Sequence, residues 1–179
     1  MQAHRPHHAR SVLARLALFT ACASLPLTSL AAGSITITKQ APFAQQLSVP
    51  DAVRAECNLP TRVSEFVKEY ADKSYDKVAL ADNVSAGTPG QALSMKIVGL
   101  TGTGGGAWSG AKYVTVEGTL WENGKVKGTF TATRLSGGGA FGGYKGTCAI
   151  LGRCAKAIGK DVGEWLLAPK MNAKLGDAK

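Results

Sequence analysis

The stretch YVTVEGTLWENGKVKGTFTATR, residues 113–134, carries the strongest fold signal in the chain. On both sides of Asn123-Gly124, β-branched and aromatic residues alternate with polar ones. An Asn-Gly pair between two such runs is typical of a β-hairpin, because both residues tolerate the positive φ that a tight turn requires. We therefore predict two antiparallel strands joined at this turn.

Two registers are compatible with this turn. A two-residue loop pairs Trp121 with Val126 and mixes polar and apolar side chains on each face. A three-residue loop, 122–124, pairs Leu120 with Val126 and separates the two kinds of side chain. Because a one-residue slip moves every side chain to the other face, we predict the second register. Its polar face contains Thr115, Glu117, Thr119, Lys127, Thr129 and Thr131.

Three further strands are predicted on the N-terminal side of the hairpin. Residues 34–39 and 91–100 alternate apolar and polar residues, and residues 77–82 resemble a buried strand. Residues 40–56 contain two prolines and no clear period, which predicts a loop.

Two helices are predicted by apolar residues at helical spacing. The first follows Asn58, with Pro60 in its first turn, and the second spans 147–167 and ends before Pro169. Gly159 and Gly163 of the second helix follow Ala155 at intervals of four residues, which predicts close approach of another backbone. That neighbour is either the sheet or first helix, or a second copy of the chain. The inward apolar positions are Val63, Phe66, Val67 and Tyr70 in the first helix, and Leu151, Ala155, Ile158, Val162, Trp165 and Leu166 in the second.

The order β-α-β-β-β-β-α predicts an α+β fold, with a single mainly antiparallel sheet and two helices packed on one face. This domain is expected over residues 32–168, followed by a polar, basic and mobile tail over 169–179.

Residues 1–31 have the pattern of a secretory signal peptide. A leader with three arginines precedes an apolar run, and Ser29 and Ala31 are the small residues of a cleavage site. Cleavage after Ala31 predicts a periplasmic protein without a transmembrane segment, because no later apolar run approaches about 18 residues. A lipid anchor at Cys22 is the less favoured alternative, since Phe19 suits a lipidation motif poorly.

Removal of this leader would remove His4, His7 and His8, the three histidines of the chain. Ser-His-Asp catalysis, Cys-His catalysis and histidine-ligated zinc are then excluded. We expect no enzyme activity, no metal and no cofactor.

The leader also contains three of the 21 Lys and Arg residues and none of the 12 Asp and Glu, so the formal charge of the chain falls from +9 to +6 when the leader is removed. A basic exported protein suits an envelope protein or an anionic envelope component better than nucleic acid.

Three cysteines remain, and an oxidising compartment favours a disulfide between two of them. Within one helix, Cys148 and Cys154 would be about 9 Å apart, beyond the roughly 6.8 Å limit for bridged Cα atoms. We favour Cys57–Cys148, with Cys57–Cys154 and Cys148–Cys154 as alternatives.

Two glycine-rich loops, at 101–110 and 136–146, are expected to lie side by side at one end of the sheet. Together with the adjacent strands they predict an aromatic and basic rim suited to an anionic or sugar-like ligand or a partner protein. The binding candidates are Trp108, Lys112, Arg134, Phe141, Tyr144 and Lys145.

The second loop also matches G-x-G-x-x-G, but we reject a nucleotide site. The chain lacks G-K-[ST], and Asp161, at the distance of a ribose-binding acid, falls within a predicted helix. The preceding strand also belongs to an expected antiparallel meander rather than to a parallel βαβ unit.

The leader, the hairpin with its V-x-V-x-G-x-L pattern, and the closing helix TCAILGRCAKAIGKDVGEWL resemble small exported proteobacterial envelope proteins of unknown function. More loosely, residues 33–168 are similar to the α/β domains of outer-membrane accessory lipoproteins, although the residues before Cys22 fit a lipidation motif poorly. The resemblance implies a non-enzymatic periplasmic accessory or protein-interaction module. The alternative is a small-ligand-binding periplasmic protein that uses the glycine-rich rim.

Overall fold

The computed structural model describes residues 1–2, 32–101, 111–137 and 146–179, so the predicted signal peptide lies outside it apart from its first two residues. The described part contains six strands and three helices. In chain order they are β1 (Ala32–Thr38), α1 (Asp51–Glu56), α2 (Leu59–Ala71), β2 (Tyr75–Ala81), β3 (Gln91–Leu100), β4 (Lys112–Glu122), β5 (Lys125–Ser136), α3 (Thr147–Trp165) and β6 (Ala173–Gly176). The α+β class is confirmed.

The six strands form one mixed sheet in the order β2-β1-β3-β4-β5-β6. β1 runs parallel to both β2 and β3, and β5 runs parallel to β6. β3–β4 and β4–β5 are the antiparallel pairs. The prediction of a mainly antiparallel sheet is therefore wrong, because each edge strand joins its neighbour through a helical crossover, which brings the chain back in the same direction.

The hairpin turn has two residues, so the predicted three-residue loop is wrong. Asn123 and Gly124 have φ of 50° and 81°, and Trp121 lies opposite Val126. A bulge follows at once, and beyond it Leu120 lies opposite Gly128. Positive φ at both turn positions matches the twist of the strands, and the bulge shifts the register that this turn would otherwise impose.

The predicted separation of the two hairpin faces is nevertheless present. Val116 pairs with Ala132, and Gly118 pairs with Phe130. All the apolar side chains of this face are at most 3% exposed: Val114, Val116, Leu120, Phe130 and Ala132. The bulge brings these five apolar residues to one face, as the predicted loop was expected to do. Val126, predicted to lie on that face opposite Leu120, is instead 47% exposed and lies opposite Trp121.

α3 packs closely on α2, and two glycines lie at the contact. A Cβ atom on Gly159 would lie 2.7 Å from the carbonyl carbon of Phe66, and one on Gly163 would lie 2.6 Å from the Cβ of Tyr70. Most buried apolar residues of both helices belong to one hydrophobic core with the apolar face of the sheet. The close approach predicted from the glycine spacing is confirmed, with α2 as the neighbour.

Three further expectations differ from the structure. The segment 40–56, predicted to be a loop, contains α1. The strand β2, predicted to be buried, lies at the edge of the sheet, and its Lys77 is exposed. The tail 169–179, predicted to be mobile, contains β6. Beside that strand, the Asn172 amide donates a hydrogen bond to the hydroxyl oxygen of Thr129 at 2.8 Å. Across the described residues, no helix combines the length and hydropathy needed to cross a membrane.

Candidate functional site

The structure describes two of the six predicted rim residues. The other four are Trp108, Phe141, Tyr144 and Lys145, and they lie outside the described residues. Their role in binding, and the predicted proximity of the two glycine-rich loops, therefore stay predictions. Lys112, at the start of β4, is 1% exposed. The prediction that Lys112 lies on an accessible rim is therefore wrong, because its side chain is buried.

Arg134 connects three parts of the fold. Its Nε donates a hydrogen bond to Asp161 Oδ2 at 2.6 Å, and its Nη2 donates one to Oδ1 at 2.6 Å. Its Nη1 lies 3.7 Å from Asp177 Oδ1, beyond β6. The hydrogen bonds to Asp161 raise the pKa of the Arg134 guanidinium. A bidentate pair of this kind holds both groups in one geometry. An anionic ligand would therefore have to compete with Asp161 for Arg134.

One ground for rejecting a nucleotide site is also corrected. β5, α3 and β6 form a parallel βαβ unit, so the strand before the second glycine-rich loop does not belong only to an antiparallel meander. Asp161, however, lies within α3 and is engaged by Arg134 rather than placed to meet a ribose. The absence of a G-K-[ST] motif is a second reason to reject a nucleotide site.

The favoured disulfide is confirmed: Cys57 at the end of α1 is bonded to Cys148 in the first turn of α3. Cys154 is a buried free thiol, and burial raises its pKa to about 11. Its Sγ–H donates to the carbonyl oxygen of Lys112 at 3.7 Å. Within the described ranges, no three His, Cys, Asp or Glu residues are grouped as metal ligands. The disulfide fits an exported protein.

The face of the sheet opposite the core carries hydroxyl, amide, amine and carboxylate groups in register. In one row Ser94, Thr119 and Thr129 are cross-strand partners. In the next row, Lys96, Glu117 and Thr131 are partners, and Lys174 of β6 continues the row. We call this surface the polar face; it comprises Ser94, Lys96, Thr115, Glu117, Thr119, Thr129, Thr131, Thr133, Asn172 and Lys174, all partly or fully exposed.

A shallow open depression of about 410 Å³ lies in the polar face. Lys96 Nζ is 3.1 Å from Glu117 Oε2 across β3 and β4, and among the described lining residues Glu117 is the one carboxylate. Thr129 Oγ1 donates to Asn172 Oδ1 at 3.3 Å. These groups can donate and accept several hydrogen bonds and meet an anion through Lys174. They do not bring two carboxylates together, as general acid–base catalysis by a carboxyl pair requires.

No family model matches the chain, and neither does any curated protein. Among solved structures, the PelC dodecamer from Paraburkholderia phytofirmans is similar at 15% identity and a TM-score of 0.45, over 71% of this chain and 86% of that one. A leucine-to-methionine variant of the PelC dodecamer from the same organism gives 15% and 0.46, over 73% and 88%. A structure titled as an uncharacterized protein gives 11% and 0.47, over 74% and 91%. With TM-scores below 0.5, none of these similarities bears on the function of this chain.

Sequence reasoning identified most of the polar face as solvated but not as a site. The alternation of β4 and β5 predicts its threonines and Glu117, and the alternation of β3 predicts Lys96. Asn172 and Lys174 were missed, because they join the face only through the pairing of β6 with β5. The one local signal was the alternation of Ala173, Lys174 and Leu175 within the tail.

Proposed function

We propose that the chain is a non-enzymatic interaction module of the periplasm and that the polar face is its contact surface. The observation that carries this proposal is the row-wise arrangement of hydroxyl, amide and amine groups across β3, β4, β5 and β6. A partner lying across these strands would meet a regular array of donors and acceptors. Such an array suits a broad, hydrogen-bonded contact.

The shape of the depression favours a macromolecular partner over a small ligand. Small-molecule sites are concave and mostly apolar, and they enclose most of the ligand. The depression in the polar face is open and lined largely by threonine and lysine side chains. The alternative function, small-ligand binding at the glycine-rich rim, depends on side chains outside the described residues and gains no support here.

The chemistry of the face favours an envelope protein or another envelope component with anionic groups. Lys96 is engaged by Glu117, whereas Lys174 makes no ion pair with any residue that the structure describes. Because Lys174 lies in the same row, it is available to an incoming carboxylate or phosphate. The disulfide Cys57–Cys148 supports a periplasmic location.

Site-specific photocrosslinking in the native cell tests this proposal. A benzophenone side chain placed at Thr119 or Thr129 on the polar face should form a discrete adduct with an envelope partner. Matched positions Glu65 and Lys156, exposed on α2 and α3, serve as controls and should not form that adduct. Adducts of the same pattern from all four positions, or none from the polar face, would overturn the proposal.

A further inference from the structure

Two large apolar side chains protrude from the turn that connects α3 to β6. Leu167 is 65% exposed and Met171 is 54% exposed. Each of them lines a shallow depression beside the end of α3. Tyr70, Lys73 and Leu167 line the smaller one, of about 240 Å³. Met171 and Lys170 line the larger one, of about 550 Å³.

The two depressions adjoin, because Glu164 of α3 borders both. Lysines surround the apolar pair: Lys73 and Lys160 beside Leu167, and Lys170 beside Met171. We call this surface the terminal patch, comprising Lys73, Lys160, Leu167, Lys170 and Met171. Lys174 borders it as well as the polar face.

The carboxylates near the terminal patch do not balance its lysines. Asp161 is held by Arg134 at 2.6 Å and is 10% exposed. Glu164 lies 3.6 Å from Lys160, and both side chains are exposed. Lys170 makes no ion pair with any described residue. The patch therefore combines protruding apolar side chains with an excess of positive charge.

We propose that the terminal patch docks on the surface of an anionic lipid bilayer. Leu167 and Met171 enter the headgroup region, while the lysines keep their amines at the level of the lipid phosphates. Each lysine near such a surface adds favourable electrostatic energy. This proposal is independent of the proposed polar-face partner, since the two surfaces share only Lys174 at their border.

Residue type favours a bilayer over an acidic protein as the occupant. Protein–protein interfaces are depleted in lysine, and their energetic centres are enriched in arginine, tryptophan and tyrosine. The terminal patch has three lysines and no arginine. Two aromatic rings lie beside it: Tyr70 has the Lys73 amine 4.3 Å from its ring centre, and Trp165 is only 6% exposed because it packs against Phe130. Lysine beside exposed aliphatic side chains is instead typical of peripheral membrane contacts.

Vesicle sedimentation of the full chain tests the proposal. Vesicles of phosphatidylcholine with about 30% phosphatidylglycerol are compared with pure phosphatidylcholine, at low and at high salt. The unaltered chain should prefer the anionic vesicles and lose affinity as salt rises. Leu167→Ser with Met171→Ser should lower the partition coefficient about tenfold, and Lys170→Glu should lower it about fivefold or more.

Matched controls remove the same residue types elsewhere on the surface. Val126 is 47% exposed and Leu135 is 59% exposed, so Val126→Ser with Leu135→Ser removes a similar apolar pair. Lys125→Glu matches the charge reversal. Because every variant keeps residues 1–31, any contribution of that segment is the same in all of them. Equal losses in the control and patch variants would overturn the proposal.

Two further outcomes would also overturn it. One is equal binding to anionic and neutral vesicles. The other is absence of binding of the unaltered chain to anionic vesicles. If the Leu167→Ser, Met171→Ser variant then also loses a crosslinked protein adduct, the terminal patch is assigned to an acidic protein instead.

Discussion

Gly159 lies where α3 packs against α2, and at this position glycine has no room for a side chain. A Cβ atom would lie 2.7 Å from the carbonyl carbon of Phe66, and backbone cannot move aside as a side-chain tip can. Alanine is normally better than glycine in a helix by about 1 kcal/mol, whereas overpacking costs about 1–3 kcal/mol. We expect Gly159→Ala to lower the free energy of unfolding by about 1–2 kcal/mol in urea denaturation.

Gly152 of the same helix provides the control for this prediction. A Cβ there would meet the guanidinium end of Arg62, whose Nη1 donates to the Cys148 carbonyl at 3.1 Å. Since that group belongs to a flexible side chain, Gly152→Ala should change the free energy of unfolding by less than about 1 kcal/mol. Similar losses in both variants would show that contact with the α2 backbone is not the cause.

Cys154 is expected to be chemically inert while the protein is folded. Burial raises the pKa of its thiol from an ordinary value of 9.0 to about 11, and the thiolate is the reactive form. At pH 8, iodoacetamide should label Cys154 only after unfolding, as measured by mass spectrometry of its peptide. The unfolded thiol loses its proton at lower pH than the native one, so this group's contribution to stability is lost as pH rises from about 9 to 11. Rapid labelling of the native chain would contradict its burial.

β6 is a short edge strand, and its two adjacent side chains Lys174 and Leu175 have opposite surroundings. Leu175 is half-buried against the core, whereas Lys174 is exposed. We expect Leu175→Ala to lower the free energy of unfolding by about 1–2 kcal/mol, less than a fully buried leucine would. Lys174→Ala should change it by less than about 0.5 kcal/mol. A mobile tail would instead leave both variants neutral in thermal and urea denaturation.

Sequence patterns predict every strand and helix of seven or more residues, and they miss the two shorter elements, α1 and β6. The clearest predictions are α2, α3, β3 and the hairpin strands, which each extend over ten or more residues. α1 has six residues and β6 has four, too few for a period to stand out. Strand order is harder still, because no local pattern in β1 specifies that it lies between β2 and β3. The Asn172 and Lys174 part of the polar face was missed for the same reason.

In the whole molecule, two βαβ units flank the antiparallel strands β3 and β4. The first unit is β1–α2–β2 and the second is β5–α3–β6, at opposite edges of the sheet. Although their strands are far apart, α2 and α3 pack together and share one core. The disulfide joins the same two units, from the end of α1 just before α2 to the start of α3.

Removal of this disulfide should weaken the fold without dividing it. Cys57 and Cys148 are 91 residues apart, so their bond restricts a long loop of the unfolded chain, an effect of about 4.6 kcal/mol on the entropy model. Cys57→Ser with Cys148→Ser should lower the free energy of unfolding by about that amount. Cys154→Ala, which leaves the disulfide intact, should lower the free energy of unfolding much less.

Because the two helices share one core, we expect the variant without the disulfide to unfold in a single transition in urea, with the same midpoint by circular dichroism and by tryptophan fluorescence. Two separate transitions would show that the βαβ units depend on the covalent link for their cooperativity.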